Sequence, residues 1–489
     1  MSARPRLFTI PPGVPFLPTL AEAVLSGRLV PDSAPRGDPL ALPATTIYVP
    51  TRRAARELRS AFVELAGGGP AILPTIRPLG EFDEDAAAFE TGTGALDLAP
   101  PVAALDRLLL LAPLIQQWKS RLPHHIRVRF EEDVVVPASA ADAVWLARDL
   151  AALMDEVEME GADWSRLAGL VEQELAGWWQ VTLDFLEIVT EHFPAALRAL
   201  GRSSPGAHRT AMIDAEAERL KRNPPAGPVI AAGSTGSIPA TARLLSTIAR
   251  LPNGAVVLPG LDRALDERSW RELAAEKPHP SVCGHPQFGL RKLLGTIGAD
   301  RAAVEEVGAP GPALAARARL VSEAMRPAET TDAWADQRDL ATNLVADGAL
   351  SNVALVEAAN ERDEAQAIAV ALRLAVAEGR TAALVTPDRG LARRVSAELG
   401  RFGVHADDSG GTPLARTPPA QLLMRLAEAV CAPGDPVAIL ALVKHPLLHC
   451  GLPRAMAREA AETVELVALR GGTGRPELAS LRTHFEKRL

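Results

Sequence analysis

The fold is decided by residues 45–65, which read TTIYVPTRRAARELRSAFVEL. The first five residues are β-branched or aromatic, a composition that favours a buried strand, and Pro50 marks its end. From Arg52 onward the residues have high helix propensity, and the apolar ones recur at helical spacing. A strand, a tight turn and a helix in this order predict one unit of an α/β fold.

Similar patterns recur downstream. Ala382–Val385 is followed by the turn Thr386–Asp388 and by a basic helical segment, which predicts a second unit built like the first. Two further apolar runs, Val229–Ala232 and Ala255–Leu258, are typical of buried parallel strands. The sequence therefore predicts an α/β protein with two parallel sheets.

Most of the remaining sequence has helical periodicity, so we expect a chain that is mostly α-helical by content. A polar linker is expected near Arg326 to Trp334. The predicted segments are residues 1–100, the first half of the first sheet domain; 101–224, a helical insertion; 225–335, the second half of that domain; 345–432, the second sheet domain; and 433–489, the start of a second helical insertion.

The composition is that of a globular protein. With 47% hydrophobic residues the chain is too apolar to be disordered, and no run approaches the roughly 18 apolar residues of a membrane span. Three isolated cysteines, Cys283, Cys431 and Cys450, favour a reducing compartment, so we expect a cytoplasmic protein. A formal charge of -8 gives no general attraction to nucleic acid, so DNA binding would require local basic patches.

A nucleotide-driven motor needs a glycine-rich loop with the spacing GxxxxGK, followed by Ser or Thr. The nearest match is residues 12–19, PGVPFLPT, in which Pro18 takes the position of the lysine. Proline supplies neither a cation nor an amide donor. We therefore interpret Gly13, Pro18 and Thr19 as a degenerate nucleotide loop.

A second glycine loop follows the strand predicted at Val229–Ala232. It consists of Gly233, Ser234, Thr235, Gly236 and Ser237. Its amides precede a predicted helix and are candidates for binding phosphate. The simpler interpretation is a tight turn in which Ser237 caps the helix ahead of Pro239. Both interpretations stay open from the sequence.

Arginines recur on the helices of both predicted units. The candidates for contact with a DNA backbone are Thr51, Arg52, Arg53, Arg56, Arg59, Arg393 and Arg394. Three of them, Arg52, Arg56 and Arg59, share one helical stripe, as a phosphate-binding face requires. The alternative is a solvated face whose charge is balanced by Glu57 and Glu64.

Neither a catalytic site nor a metal site is predicted. His445, His449 and Cys450 have a spacing compatible with zinc, but the sequence offers no fourth ligand. Asp155 and Glu156 could be mistaken for the acidic pair of a motor. Because the residues around them have a helical period, we interpret both as part of a solvated helix face.

Several blocks of the sequence together resemble a known family. They are FTIPPGVPFLPTLAEAVL from Phe8, YVPTRRAARELRSAF from Tyr48, AAGSTGSIPAT from Ala231 and LPGLD from Leu258. These blocks resemble the N-terminal part of the AddB family, of the alphaproteobacterial type, and the resemblance covers essentially the whole chain. AddB proteins are helicase-like subunits of bacterial helicase/nuclease complexes for the repair of DNA double-strand breaks.

The resemblance implies two RecA-like domains of the superfamily 1 helicase type, each interrupted by a helical insertion. It also implies a degenerate helicase that forms a heterodimer with an AddA-type motor subunit and binds DNA ends and single-stranded DNA. The family's nuclease residues, iron-sulfur cluster and magnesium lie in a C-terminal region beyond Leu489. No cofactor is therefore expected in this chain.

Together, the residues and the resemblance lead to one expected function. This is a non-motor, helicase-like subunit that processes DNA double-strand ends for recombinational repair and has no catalytic motif of its own. One alternative is an active ATP-dependent DNA helicase with an atypical nucleotide loop at residues 11–19 or 233–237. A less favoured alternative is a metabolic enzyme that binds a sugar nucleotide at the Gly233 loop.

Overall fold

The structure is a computed structural model that describes residues 4–31, 33, 35, 41–67, 72–79, 98–121, 139–169, 176–274, 279–470 and 478–488. The chain divides into two compact units, Met1–Val353 and Ala354–Leu489. Every strand assigned within the described residues belongs to the first unit, and the second unit is built from helices.

The first unit is built around a six-stranded sheet. Its strands are β1 (Leu7–Ile10), β2 (Thr46–Val49), β3 (Thr75–Pro78), β4 (Val229–Ala232), β5 (Gly254–Pro259) and β6 (Glu305–Glu306). They lie in the order β3-β2-β4-β5-β1-β6, and every neighbouring pair is parallel. The prediction of an α/β fold with a parallel sheet is confirmed.

Helices connect and cover these strands. They are α1 (Phe16–Leu25), α2 (Arg52–Leu65), α3 (Ala104–Arg121), α4 (Ala140–Glu160), α5 (Ala176–Glu187), α6 (Phe193–Ala199), α7 (Pro205–Arg222), α8 (Pro239–Arg250), α9 (Glu267–Glu272), α10 (Pro280–Cys283), α11 (Phe288–Ile297), α12 (Pro312–Ala324) and α13 (Arg338–Ala346). A π-helical turn at Ile188–His192 joins α5 to α6, and 3-10 helices lie at Leu42–Ala44, Trp164–Gly169, Arg301–Ala303 and Ala328–Ala335.

Successive residues of the strands contribute to two separate cores. In β2, Ile47 and Val49 belong to the core with α1 and α2, whereas Tyr48 belongs to the core with α8 and α11. This alternation is the two-residue period of a strand, and both faces are apolar because helices cover both. The central strands therefore lie buried between two layers of helices.

The helices between β3 and β4 have a core of their own, in which Met154 and Phe193 are almost completely buried. Arg107 is also buried, and both carboxylate oxygens of Asp155 lie 2.9 Å from its Nη1. The expectation of a solvated face is wrong for Asp155, because the ion pair with Arg107 holds it half-buried. Glu156 is exposed, as expected.

The segment near Arg326 to Trp334 is packed onto the first unit, so the prediction of a linker there is wrong. The side chain of Arg326 is only 4% exposed and forms an ion pair with Asp266. Thr330 is completely buried. Polar residues suggested a surface linker because the sequence does not show their buried partners. The division between the two units falls after Val353.

The second unit consists of helices joined by irregular segments. Its helices are α14 (Glu361–Ala377), α15 (Arg389–Arg401), α16 (Pro418–Cys431), α17 (Pro436–Val443), α18 (Arg454–Val464) and α19 (Leu478–Glu486), with a 3-10 helix at Leu414–Arg416 and a π-helical turn at Glu465–Leu469. Helices α14 and α15 share a small core of Ala365, Ala369, Val395 and Leu399. Within the described ranges of both units, none of the helices is long and apolar enough to cross a membrane.

The strand predicted at Ala382–Val385 is not formed. Residues 381–386 have no regular structure, and no strand lies in residues 354–470 or 478–488. Val385 is 93% exposed. A strand is stabilised by hydrogen bonds to a neighbouring strand, and among the described residues this apolar run has no such neighbour.

Candidate functional site at the carboxyl edge of the sheet

The carboxyl ends of the parallel strands lie at one edge of the sheet, which is where open α/β sheets bind ligands. The helices after β1 and β2 cover one face of the sheet, and the helix after β4 covers the other. Strands β2 and β4 are neighbours, and the helices that follow them lie on opposite faces of the sheet, so the chain leaves the two strands in opposite directions. Such a divergence creates a crevice at the sheet edge, which makes this crevice the candidate site.

Apolar groups fill the crevice. Gly233 begins the loop after β4 with a φ of 79°. A Cβ built on Gly233 would lie 3.4 Å from Phe16 Cε1 and 3.5 Å from Pro50 Cδ. Three loops therefore meet through a phenyl ring, a proline ring and a glycine. Glycine suits this position because it adopts the left-handed backbone without cost and allows the close approach.

The loop after β1 is also covered from the side of α12. A Cβ built on Gly13 would lie 2.9 Å from Leu314 Cβ, and one built on Gly308 would lie 2.9 Å from Val14 Cγ1. Apolar packing therefore holds this loop. A loop that binds phosphate has its amides turned towards the ligand instead.

The predicted degenerate nucleotide loop lies in this packed region. Gly13 has a φ of 85°, Pro18 falls in the first turn of α1, and the Thr19 amide donates to Pro15 O at 3.2 Å. Because Pro18 has no amide hydrogen, the start of α1 offers fewer donors than an ordinary helix start. Within residues 4–31, the loop thus lacks the lysine and one of the amides of a nucleotide loop. Its loss of nucleotide binding stays a prediction.

The loop Gly233–Ser237 is seated on α11. A Cβ built on Gly236 would lie 2.8 Å from Leu293 Cδ1, and the Gly236 amide donates to Ser234 Oγ at 3.2 Å. Thr235 lies against Gly289, whose built Cβ would be 3.5 Å from Thr235 Cβ. The loop is therefore a tight, supported turn, and phosphate binding by its amides stays a prediction.

The capping role predicted for Ser237 is wrong. Helix α8 begins at Pro239, and the aliphatic residue Ile238 occupies its N-cap position. The helix begins one residue too late for Ser237 to be the cap, and Ser237 is exposed. Pro239 at the first helical position was correctly expected to start the helix.

Sequence reasoning missed the side chains that hold the loop after β5. Gln287 accepts a hydrogen bond from Asp262 N at 2.9 Å and donates one to Gly260 O at 3.0 Å. Thr9, buried in β1, accepts a hydrogen bond from Leu261 N at 3.0 Å. The only signal in the sequence was Thr9, a polar residue inside the apolar strand Leu7–Ile10. The sequence does not reveal that its side chain contacts the amide of Leu261.

The predicted DNA-contacting stripe lies on the exposed face of α2. Thr51 is the N-cap residue of this helix and accepts a hydrogen bond from Ala54 N at 3.1 Å. The exposed arginines are Arg52, Arg53, Arg56 and Arg59. The guanidinium of Arg59 lies 3.4 Å from Ile76 O of β3. The structure gathers these arginines on one helix that starts at the carboxyl edge, and their contact with DNA stays a prediction.

Arg393 and Arg394, the matching candidates of the second unit, lie in α15. Arg394 is half-buried, 3.0 Å from Glu361 and 3.7 Å from Asp388. Arg393 is exposed, and its Nε donates to Arg389 O at 3.2 Å. The two arginines therefore differ, because carboxylates already engage Arg394 whereas Arg393 projects towards solvent.

A buried polar cluster adjoins the carboxyl edge on the face covered by α7 and was missed from the sequence. Tyr48, the only tyrosine of the chain, is fully buried and donates a hydrogen bond to Glu216. Glu216 also accepts two hydrogen bonds from Arg219, at 2.6 and 2.8 Å, and lies 3.5 Å from Arg77. The cluster ties α7 to strands β2 and β3.

Burial raises the pKa of Tyr48 above its ordinary value, and the charge and hydrogen bond of Glu216 raise it further. Burial opposes the ionisation of Glu216. Hydrogen bonds from Arg219 and Tyr48 outweigh this effect and lower the pKa of the Glu216 carboxyl. The phenol is therefore held neutral and the carboxylate charged. In these states Tyr48 can donate the hydrogen bond and Glu216 can accept it, as a structural contact requires.

No group of three or more His, Cys, Asp or Glu side chains in the described part of the chain is arranged to hold a metal ion. His445 Nδ1 accepts a hydrogen bond from Leu447 N at 3.2 Å, so a local turn uses this nitrogen. Cys450 is exposed.

The carboxyl edge thus combines a crevice filled by apolar packing with a basic helix that starts beside it. This geometry can hold an extended anion along the surface, whereas the crevice itself is occupied by side chains. In comparisons with known proteins, no protein-family model matches the chain and no curated protein is significantly similar to it.

Proposed function

We propose that this chain is a non-motor, helicase-like subunit that binds DNA in a complex processing double-strand ends for recombinational repair. The observation that carries the proposal is the filled crevice at the position of a nucleotide site, next to the arginines of α2. Phe16, Pro50 and Leu314 occupy the space around the glycine loops, while Arg52 and Arg56 are exposed on the helix that starts there. A strand of DNA needs only such an accessible cationic face.

The proposal extends to the partner. A subunit that binds DNA without hydrolysing ATP requires a motor elsewhere, so we propose a heterodimer with an AddA-type subunit in the cytoplasm. The iron-sulfur cluster and magnesium of the complex would then belong to its nuclease region, outside these 489 residues.

We also propose that the two units correspond to two RecA-like domains. The first unit supports this with its parallel sheet covered on both faces by helices. In the second unit, α14 lies between two exposed apolar runs, in which Leu355 is 87% and Val385 93% exposed. Apolar runs of this kind favour pairing with a strand, and no strand is assigned in the described residues of the second unit.

DNA binding by α2 is tested with a variant in which Arg52, Arg53, Arg56 and Arg59 are all replaced by alanine. Binding of a fluorescent homopolymeric single-stranded DNA is measured by anisotropy over a series of salt concentrations. We expect weaker binding, with the slope of log K against log salt reduced by about 0.7 for each phosphate that the variant no longer neutralises.

Two controls accompany this variant. Replacing the same four residues by lysine keeps the charges and should retain most of the affinity and the slope. Arg268→Ala removes an exposed arginine outside the stripe and should change neither. An alanine variant that binds with unchanged affinity and slope would overturn the proposed role of α2.

A further inference from the structure

A cationic trench lies on the other face of the sheet from α2, where α7, α8 and α11 come together. Its volume is about 520 Å³. Its polar lining consists of Arg243, Ser246, Thr247 and Arg250 of α8, with Lys221 of α7 and Thr296 of α11 at its sides. Ser246 and Thr247 are buried, whereas Lys221, Arg243 and Arg250 are exposed, so the trench presents mainly positive charges to solvent.

The lining from α8 is a polar stripe on an otherwise buried helix. Arg243, Ser246, Thr247 and Arg250 have the spacing i, i+3, i+4 and i+7, which places them on one helical face. Their neighbours Leu244, Leu245 and Ile248 are at most 1% exposed and face the sheet core. The polar stripe therefore faces away from that core, into the trench.

The charged residues that line the trench, among those described, are all cations: Lys221, Arg243 and Arg250. Two of them have carboxylate partners on α7. Arg243 is 2.7 Å from Asp214, and Lys221 is 2.6 Å from Glu218. Both pairs are solvent-exposed, and exposed pairs stabilise a protein by only about 0–1 kcal/mol, so an incoming anion can compete for these cations.

Arg250 is held differently. Its guanidinium donates to Ser246 and to the carbonyl oxygen of Ile297, and no carboxylate among the described residues contacts it. It thus lies near the carbonyl ends of α8 and α11 with its positive charge unneutralised by an acid. This fixed cation completes the positive lining of the trench.

We propose that this trench binds phosphate groups of a single-stranded nucleic acid, as a second backbone contact in addition to the arginines of α2. Arg243 and Arg250 are separated by about 10 Å along the helix, seven residues at about 1.5 Å each, so they can contact separate phosphates of one strand. No aromatic ring lines the trench among the described residues, so bases are not stacked there and contact is independent of sequence. The inference rests on the proposed function, since it assumes that the chain binds DNA.

The test uses the full chain, a fluorescent homopolymeric single-stranded DNA, and anisotropy at several salt concentrations. Arg243→Gln and Lys221→Gln should each weaken binding and reduce the salt slope by about 0.7. Asp214→Asn should act in the opposite direction and strengthen binding several-fold, because it releases Arg243 from its carboxylate. If the Arg243–Asp214 pair had only a structural role, Arg243→Gln and Asp214→Asn would change DNA binding in the same direction.

Arg268→Gln is the matched control, because Arg268 contacts both oxygens of Asp332 at 3.1 and 2.9 Å in the same exposed setting but outside the trench. Binding should be unaffected by it. If Arg243→Gln and Lys221→Gln leave binding unchanged while the alanine variant of α2 weakens it, the trench proposal is overturned and the proposed function stands. If the unsubstituted chain fails to bind the DNA, both proposals fall.

Discussion

Phe16 lies against Gly233, so that the ring of a residue after the first strand closes the backbone turn after the fourth strand. The ring Cε1 would be 3.4 Å from a Cβ at position 233. Since both residues stand at the carboxyl edge of the sheet, the contact occupies the crevice in which comparable folds hold a ligand. We therefore predict two obstacles to nucleotide binding, the missing lysine at Pro18 and the packing of the loops.

Gly233→Ala should lower the free energy of unfolding. The backbone at this position has a φ of 79°, and the left-handed region costs an alanine about 1–2 kcal/mol. The measurement is urea unfolding followed by tryptophan fluorescence, which reports on the first unit because all seven tryptophans precede residue 353. Gly295→Ala is the control, since a Cβ there meets nothing within 4 Å on helix α11. It should stabilise the unit by up to about 1 kcal/mol, and equal effects of the two substitutions would contradict the role of Gly233.

The chain should give no binding heat with magnesium and ATP in titration calorimetry. Pro18→Lys should not create binding, because it restores the cation but leaves Phe16 and Leu314 in place around the glycine loops. Measurable saturation by the unsubstituted chain would favour the alternative of an active motor. Saturation only after Pro18→Lys would show that the lysine, and not the packing, is the obstacle.

Tyr48→Phe should destabilise the first unit by about 1.5–3 kcal/mol, the contribution of a hydrogen bond to a charged group. The phenol is fully buried, and its partner Glu216 keeps the hydrogen bonds from Arg219 in the variant. Glu216→Gln, combined with Tyr48→Phe in a double-mutant cycle, measures the coupling between the two side chains in urea unfolding. A coupling energy near zero would mean that the contact contributes nothing to stability.

The same pair should shape the pH dependence of stability in two directions. The pKa of Glu216 is lowered by folding, so its contribution is present above the unfolded-state value of about 4.3 and is lost as pH falls through the lower folded value. The pKa of Tyr48 is raised, so its contribution is present below the unfolded value of about 10 and is lost as pH rises through the higher folded value. Urea midpoints should fall at both extremes, less steeply in acid for Glu216→Gln and less steeply in alkali for Tyr48→Phe. Phenolate absorbance should appear together with unfolding, and its appearance in the folded chain near pH 10 would contradict the burial of Tyr48.

Arg326→Ala should destabilise the first unit by about 1–3 kcal/mol, because it leaves the partly buried carboxylates of Asp266 and Glu323 without their cation. Arg268→Ala breaks an exposed pair and should cost no more than about 1 kcal/mol. Limited proteolysis of the Arg326→Ala variant should also produce cleavage between Pro327 and Ala335. Equal cleavage of this segment in the unsubstituted chain and in the variant would restore the interpretation of the segment as an independent linker.

Local features of the sequence determined the elements of the first unit. The strand at Thr46–Val49 and the helix after it arise from β-branched and helix-forming residues that are adjacent in the chain, and the parallel sheet arises from continuous apolar runs such as Val229–Ala232. The absence of a lysine at Pro18 is likewise a fact of the sequence alone. These features depend on neighbouring residues, which is why periodicity and propensity predict them.

The tertiary structure decided everything that depends on a distant partner. Val385 is exposed because an apolar run becomes a strand only where another strand accepts its hydrogen bonds, and Arg326 is buried because Asp266, sixty residues earlier, pairs with it. The contact of Phe16 with Gly233 joins residues more than two hundred positions apart. Propensity is a property of nearby residues, whereas packing and pairing are set by which segments meet once the chain has folded.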